Sequence, residues 1–428
     1  MISDGGWAVK GIKNVFLTKT FPNHFSIATG LYEESHGIVG NVMFDPLFNA
    51  TFHGWLPNDG ANSSWFDDGG EPIWVTNQKQ NMLHRSGVMA WPGGMATIKG
   101  FLPYRKAAQQ DGFSDKQKVD NVIEWFTDEY PINLGLLYFD EPDHTGHAFG
   151  PDSEQVLQKI FELDELLGYI LDELEEHNLL DHTNIILTSD HGMTSLLNDT
   201  EHIVDLDRYL DFSTYFVTSK SPVAAIYPNK EELAEEIYKN LTGIPHTKVY
   251  WRKDIPAGYH YKNNRRIPPI LLEPEEHYWV RYNQTAYIAG QHGYNNSLQS
   301  MHPFFIAMGP DFKKGAKVDS FSNLDIYPLM CALLRLKPAP NNGSLEIVSE
   351  LLEERSSDSA TFGAYLIILV FIGLVGGVFS VAACQIHRRY KRRQRRVSSL
   401  SLPHTFHYAK SDRMPLMSDG TDEDDEDF

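Results

Sequence analysis

The sequence predicts an α/β fold, a three-layer sandwich around a mostly parallel central sheet, on three observations. Two apolar, branched runs of strand length, INLGLLYF (132–139) and NIILTS (184–189), each deliver an Asp just beyond their C-terminal end. Between them, Val156, Ile160, Leu163, Leu167, Ile170 and Leu174 recur at spacings of four and three, the single apolar stripe of an amphipathic helix. Strand, helix, strand in that order is a crossover, which returns the second strand beside or near the first in the same direction and so brings both acidic ends to one rim. In open α/β sheets that rim is where ligands sit.

Taken in chain order, NVFLTK (14–19) is a further strand candidate, followed by a turn at Phe-Pro-Asn-His and a helix opening at SIATGLY. Thr20 stands where the helix begins, beside free backbone N–H groups and the positive end of the helix dipole, both of which favour phosphate. A Thr in that place alone more often caps a helix; the neighbouring motifs single this one out. The crossover helix should take Asp152 as its N-cap, with Gln155 three places on. Residues 206–287 hold the strand-like pieces SPVAAIYP and TKVYWRK and a short helix over 231–240, an inserted subregion. GQHGYNN then returns to the rim, and MHPFFIAMGP is another strand.

Three motifs carry metal-ligating side chains: Asp143 and His147 in EPDHTGH, Asp190 and His191 in TSDHG, and His292 in GQHGYNN. Carboxylate oxygen and imidazole nitrogen are the usual non-thiolate zinc ligands, and two ions about 3.5–4 Å apart form a clamp for in-line phosphoryl displacement. With 18 His and 57 acidic residues some pairs arise by chance; placement at two strand ends sets these apart. The residues alone read as a two-metal phosphoesterase in which Thr20, its pKa lowered by a metal, attacks phosphorus.

Composition bounds the partners. A formal charge of −20, with no basic surface of comparable size before residue 385, excludes nucleic-acid wrapping and points to a small substrate. The two cysteines, Cys331 in an apolar run and Cys384 at the edge of a second, give no disulfide framework. Residues 362–384 carry no formal charge and match the length of a bilayer-spanning helix, and HRRYKRRQRR (387–396) follows at once. Sequons at Asn49, Asn62, Asn198, Asn240, Asn283, Asn295 and Asn342 all precede that segment. The expectation is therefore a single-pass cell-membrane protein: a catalytic ectodomain over 1–350 outside the cell, a stalk over 351–361, the span over 362–384, and a cytoplasmic tail over 385–428, basic, then acidic and disordered.

TKTFPNHFSIATGLYEESHGIVGNVMFDP, PIWVTNQ, EPDHTGH, TSDHGM, GQHGYNNSLQSMHPFF and DIYPLMCALL together resemble the ectonucleotide pyrophosphatase/phosphodiesterase family of the alkaline phosphatase superfamily, from about residue 5 to 350. With the apolar segment, the chain is most similar to the short, membrane-anchored members four and five. The resemblance implies an alkaline-phosphatase-like sandwich and zinc-dependent hydrolysis of phosphodiester or pyrophosphate bonds in extracellular nucleotides, through a threonyl-nucleotide intermediate. It implies that Thr20 binds one zinc with Asp190 and His191, while Asp143, His147 and His292 hold the second. Asn41 matches the Asn that stabilises equatorial phosphate oxygens; Phe21 and Tyr104 match positions that sandwich a nucleobase, and Trp91 falls in the pocket-lining WPG motif.

The chain departs from that pattern in three places. Met95 stands where an acidic residue is usual after the WPG motif. The family's first strand, which ends in an Asp that joins the first zinc, is missing; Asp4 in SDGG has no apolar strand leading into it and is rejected as that ligand. MISDGGWAVKGIKN lacks the apolar core of a signal peptide. Two other readings remain beside nucleotide hydrolysis: a phosphodiesterase for phospholipid or choline headgroups, and a catalytically weak or silent surface protein.

Overall fold

The structure is a computed structural model that describes residues 1–354 apart from positions 220 and 284. Its first strand, β1 (Gly5–Ala8), has no apolar run to announce it. Gly5 and Gly6 make the strand fit by what they lack: a Cβ on Gly5 would stand 2.0 Å from the Ala307 carbonyl oxygen, and one on Gly6 2.9 Å from Leu351 Cδ2. β1 pairs antiparallel with β16 (Phe305–Met308) and parallel with β17 (Ala316–Val318), and β16 pairs antiparallel with β7 (Ile185–Thr188). A second sheet, wholly parallel, orders β5 (Arg105–Ala107), β4 (Ser86–Met89) and β6 (Leu134–Leu137).

The α/β class holds, but the single, mostly parallel sheet does not. β6 and β7, the two strands that lead to the acidic motifs, lie in different hydrogen-bonded sheets. β16 starts level with Thr188 at the rim and runs back toward Ile185, which makes both of its pairings antiparallel. Among the described residues no strand pairs with the other edge of β6 or of β7, and all four residues of β7 are only half-buried. Helix packing spans the break: Val119 and Ile123 of the helix Asp115–Thr127 cluster with Leu166 and Leu174 of the crossover helix (Glu154–Glu176), and Leu137 and Ile185 pack against them.

The crossover helix forms as its periodicity predicts, with two corrections. Val156 and Leu174 are buried, but Ile160 of the same stripe is 49% exposed, beside exposed Leu157 and Phe161, because nothing described covers that face of the helix's N-terminal half. Its cap is Ser153, whose Oγ accepts from the Val156 N–H, while Asp152 accepts from Ser195 Oγ instead.

Residues 14–19 are not a strand. Side-chain groups satisfy that backbone: Asn23 Oδ1 accepts from the Val15 N–H, Asn23 Nδ2 donates to the carbonyls of Leu17 and Lys19, and a lone bridge joins Lys13 to Ser322. The helix that follows, Thr20–Thr29, is buried along its whole length and stops at Gly30 in the left-handed region, φ 67°.

The inserted subregion builds its own antiparallel sheet, in the order β10 (Tyr215–Val217), β11 (Ala224–Pro228), β13 (Ile270–Pro274) and β12 (Thr247–Trp251). The expected helix over 231–240 is a tight turn, Glu231–Leu233, and then a helix, Ala234–Leu241. A hairpin, β2 (Val42–Asp45) and β3 (Ala50–His53), is tied to this subregion by Asp45, which pairs with both Arg265 and Arg266. Two short pairs return the chain to the rim: β9 (Ile203–Asp205) with β14 (Trp279–Arg281), and β8 (Thr194–Ser195) with β15 (Gly290–Gln291).

The expected single-pass placement in the cell membrane is corrected: among the described residues no helix is long and apolar enough to cross a membrane. The segment 362–384, the tail and Cys384 lie outside the described residues, as does the stalk beyond 354. Cys331 is a buried free thiol.

Candidate active site

Each candidate ligand is delivered by a local device. β7 runs out through Ser189 into Asp190 and His191; β6 runs out into a short helix, Asp143–Phe149, on which Asp143 and His147 sit one turn apart. His292 follows directly on β15, and Thr20 is the first residue of its helix, whose N-cap position, Lys19, makes no side-chain cap bond.

These groups converge. His191 Nε2 lies 3.4 Å from Thr20 Oγ1 and 3.2 Å from Asp190 Oδ2. Asp143 Oδ2 is 3.3 Å from His147 Nε2, and its Oδ1 is 3.7 Å from His292 Nε2. The His191 and His292 rings stack at 3.5 Å between centroids, inclined by 8°. All three imidazoles use Nδ1 in the same way: His147 toward the Gly290 carbonyl at 2.9 Å, His191 toward Gly192 at 2.9 Å, His292 toward Thr18 at 2.8 Å. A carbonyl only accepts, so Nδ1 carries a proton, and in the neutral ring each Nε2 turns its lone pair inward. Metal-bound histidines are commonly held by this kind of outer contact.

The donor set fits a divalent cation. Asp143, His191 and His292 offer ligand atoms that all lie within 4.8 Å of one another, and Asp143 Oδ1 is buried without a hydrogen-bond partner. An unpaired buried carboxylate oxygen is costly unless something charged meets it. Burial pushes the Asp143 and Asp190 carboxyls up, yet the imidazoles packed against them outweigh it and hold both well below the carboxylate range. Burial and neighbouring cationic groups hold His292 well below 6.5, in the neutral form that coordination requires. Burial also pulls His191 down, but Asp190 beside it prevails and raises it.

Of the expected substrate-contacting residues, Asn41 and Phe21 meet next to Thr20. Asn41 Oδ1 accepts from the Phe21 N–H at 2.9 Å, which leaves its amide NH2 as a donor beside the nucleophile's helix. The Phe21 ring is buried against Phe52 and, at 4.8 Å, Trp55. Trp91 packs edge-on against His24 at 4.7 Å. The structure does not bring Tyr104 to the rim. Arg105 pairs with Gly87, so Tyr104 sits at the start of the parallel strands, its ring beside Arg85 and Arg105, whereas the site gathers where those strands end. Asp4 also lies away from the site: it is exposed at the start of β1, level with the beginning of β7.

Sequence reasoning missed three neighbours. Lys19 donates from Nζ to Gln291 Oε1 at 3.2 Å, and burial lowers its ammonium to about 8 against the pull of Asp143. Trp55, 37% exposed, is the open face of the aromatic pair with Phe21. His24 lies one helical turn after Thr20, a spacing legible in TKTFPNH.

Comparison with known proteins agrees with this chemistry. A family model described as type I phosphodiesterase/nucleotide pyrophosphatase matches residues 1–295. The chain is 42% identical to human ectonucleotide pyrophosphatase/phosphodiesterase family member 5, over 81% of this chain and 72% of that protein. It is 40% identical to human bis(5'-adenosyl)-triphosphatase ENPP4, over 79% and 74% respectively. The solved structure of murine family member 5 superposes with a TM-score of 0.78 at 40% identity, covering 82% of this chain and 93% of that one. An inactive threonine-to-alanine form of the same murine protein, solved in complex with AMP, gives the same TM-score at 40% identity, covering 82% of this chain and 92% of that one.

Proposed function

Because the chain belongs to the type I phosphodiesterase/nucleotide pyrophosphatase family, hydrolases of phosphodiester and pyrophosphate bonds, we propose that it cleaves such bonds in nucleotides, with Thr20 as nucleophile and two zinc ions as cofactors. Thr20, Asp190 and His191 would hold one ion, and Asp143, His147 and His292 the other. When bound, the pair supplies positive charge to the phosphate oxygens and lowers the pKa of the Thr20 hydroxyl.

The chain's own residues do the rest. Thr20 Oγ1 attacks phosphorus, the bond to the leaving oxygen breaks, and a threonyl-nucleotide remains. Water then attacks the same phosphorus and restores the threonine. The Asn41 amide, its oxygen committed to Phe21, donates to an equatorial oxygen as charge builds there. Trp55 and Phe21 offer an aromatic wall for a base.

The observation that carries this reading is the gathering of three inward-facing Nε2 atoms and two carboxylates into one cluster whose His191 Nε2 lies 3.4 Å from Thr20 Oγ1. The murine relative, inactive once a threonine becomes alanine and still found with AMP, supports both the nucleophile and the substrate class. The test is Thr20→Ala assayed on a nucleotide phenyl ester, with zinc content measured on the same preparations. Loss of turnover with zinc retained is expected; sustained turnover removes Thr20 from its role. Faster turnover of a lysophospholipid than of any nucleotide would move the substrate class.

A further inference from the structure

His24 is the buried, titratable side chain next to Thr20 that the reaction above leaves unused. One turn along the same helix, its Nδ1 lies 2.9 Å from the Thr20 carbonyl oxygen and 3.3 Å from Asp190 Oδ2. Both neighbours are acceptors, so Nδ1 must be the donor, whichever way the ring was assigned. The ring has no freedom to leave: Trp91 packs edge-on at 4.7 Å and Tyr138 at 4.6 Å. The other Asp190 oxygen, Oδ1, accepts from the His191 N–H at 3.1 Å. His191 therefore meets both oxygens of this carboxylate, its Nε2 standing 3.2 Å from Oδ2, and His24 is the contact that reaches Oδ2 from the Thr20 helix.

We propose that His24 is a positioning residue that sets the Asp190 carboxylate and the Thr20 backbone from one N–H. The inference rests on the roles given above to Thr20 and Asp190. Its physical content is a tie between two elements that share no backbone hydrogen bonds: the Thr20 helix supplies the nucleophile, β7 supplies the carboxylate, and the imidazole fixes their spacing. Without the donor, Asp190 keeps its charge and its bond to the His191 N–H but gains a free rotation at Oδ2, the oxygen facing His191 Nε2. Outer contacts of this kind are worth about 10- to 100-fold in metal affinity or activity.

Three variants separate this from simple packing. His24→Asn keeps a donor near the place of Nδ1; His24→Gln keeps an amide but moves it outward; His24→Phe keeps a ring between Trp91 and Tyr138 with no donor. The readouts are zinc affinity of the metal-stripped full chain, by competition with a chromogenic chelator, and kcat and KM on a nucleotide phenyl ester. Expected are near wild-type zinc affinity and kcat for Asn, and for Gln and Phe a loss of about 10- to 100-fold in both with KM unchanged. The reverse order, with Phe at wild-type values and Asn impaired, makes His24 a packing residue and overturns the proposal. Should Phe not fold, the Asn–Gln contrast decides alone, and equal values for those two overturn it. A wild-type chain that takes up no zinc would instead sink the metal reading beneath.

Discussion

Gly54→Ala tests whether the aromatic wall beside Thr20 is as tightly built as the structure indicates. Gly54 follows the β2–β3 hairpin, and a Cβ placed on it would stand 2.6, 2.7 and 2.8 Å from three carbons of the Phe21 ring, where ordinary contact begins at 3.4 Å. No positive φ is required there, so the alanine backbone is unstrained and the contact is the whole effect. The ring must retreat by about 0.8 Å, a displacement of the size that costs core substitutions about 1–3 kcal/mol. It cannot do so freely, because Phe52 is fully buried behind it and Trp55 lies at 4.8 Å. Phe21 is also bonded through its N–H to Asn41 and follows Thr20 directly, so the strain reaches the nucleophile. Misplacement by about 1 Å can cost about 100-fold in rate. Steady-state kinetics on a nucleotide phenyl ester should show kcat/KM reduced by about that factor, together with a lower thermal midpoint. Gly60→Ala, whose Cβ would meet only the Gly54 carbonyl at an ordinary 3.5 Å, is the control. A Gly54→Ala enzyme matching wild type in both kinetics and melting would refute the tight wall.

Other consequences concern charge. Glu33 is fully buried, and burial raises its carboxyl well above 4.5; the folded chain keeps it neutral where the unfolded chain ionises it, so its cost to stability sets in as pH rises past the unfolded value. Glu33→Gln should therefore raise the melting temperature at pH 7 and leave it unchanged near pH 4; an equal shift at both would contradict this. Arg266 and Asp45, both wholly buried, are paired at 2.7 Å, and Arg266→Met leaves that carboxylate with Arg265 alone, a loss of about 3–5 kcal/mol readable in denaturant. His191 is held above its usual 6.5 and must release a proton before Nε2 can coordinate, so zinc affinity should fall by about tenfold per unit as pH drops below that raised value. A pH-independent affinity, measured by chelator competition, would remove His191 from the ligand set.

The site was legible in the sequence because chemistry and position coincide there: Asp143 and Asp190 each follow an apolar run, and both runs became strands. What escaped was set by groups outside the run concerned, near or far along the chain. β1 owes its place to the absence of side chains at Gly5 and Gly6 against β16 and Leu351, which no propensity scale registers. The branched run at 14–19 lost its strand to the Asn23 amide. Ser153 won the cap from Asp152 because Ser195 claimed the carboxylate. Tyr104 looked like a pocket residue from its motif, and only strand register could show that it stands at the wrong end of β5.

The break between β6 and β7 bears on how this molecule holds together while it works. Asp143 and His147 hang from one ladder of backbone bonds, Asp190 and His191 from another, with helices packed beneath as the other join. Ions seated between them would rivet a seam that the main chain stitches only through Ala289 and the short β8–β15 pair, so that filling the centre and stiffening the protein become one event. Amide exchange along Leu134–Leu137 and Ile185–Thr188 should slow when zinc is added.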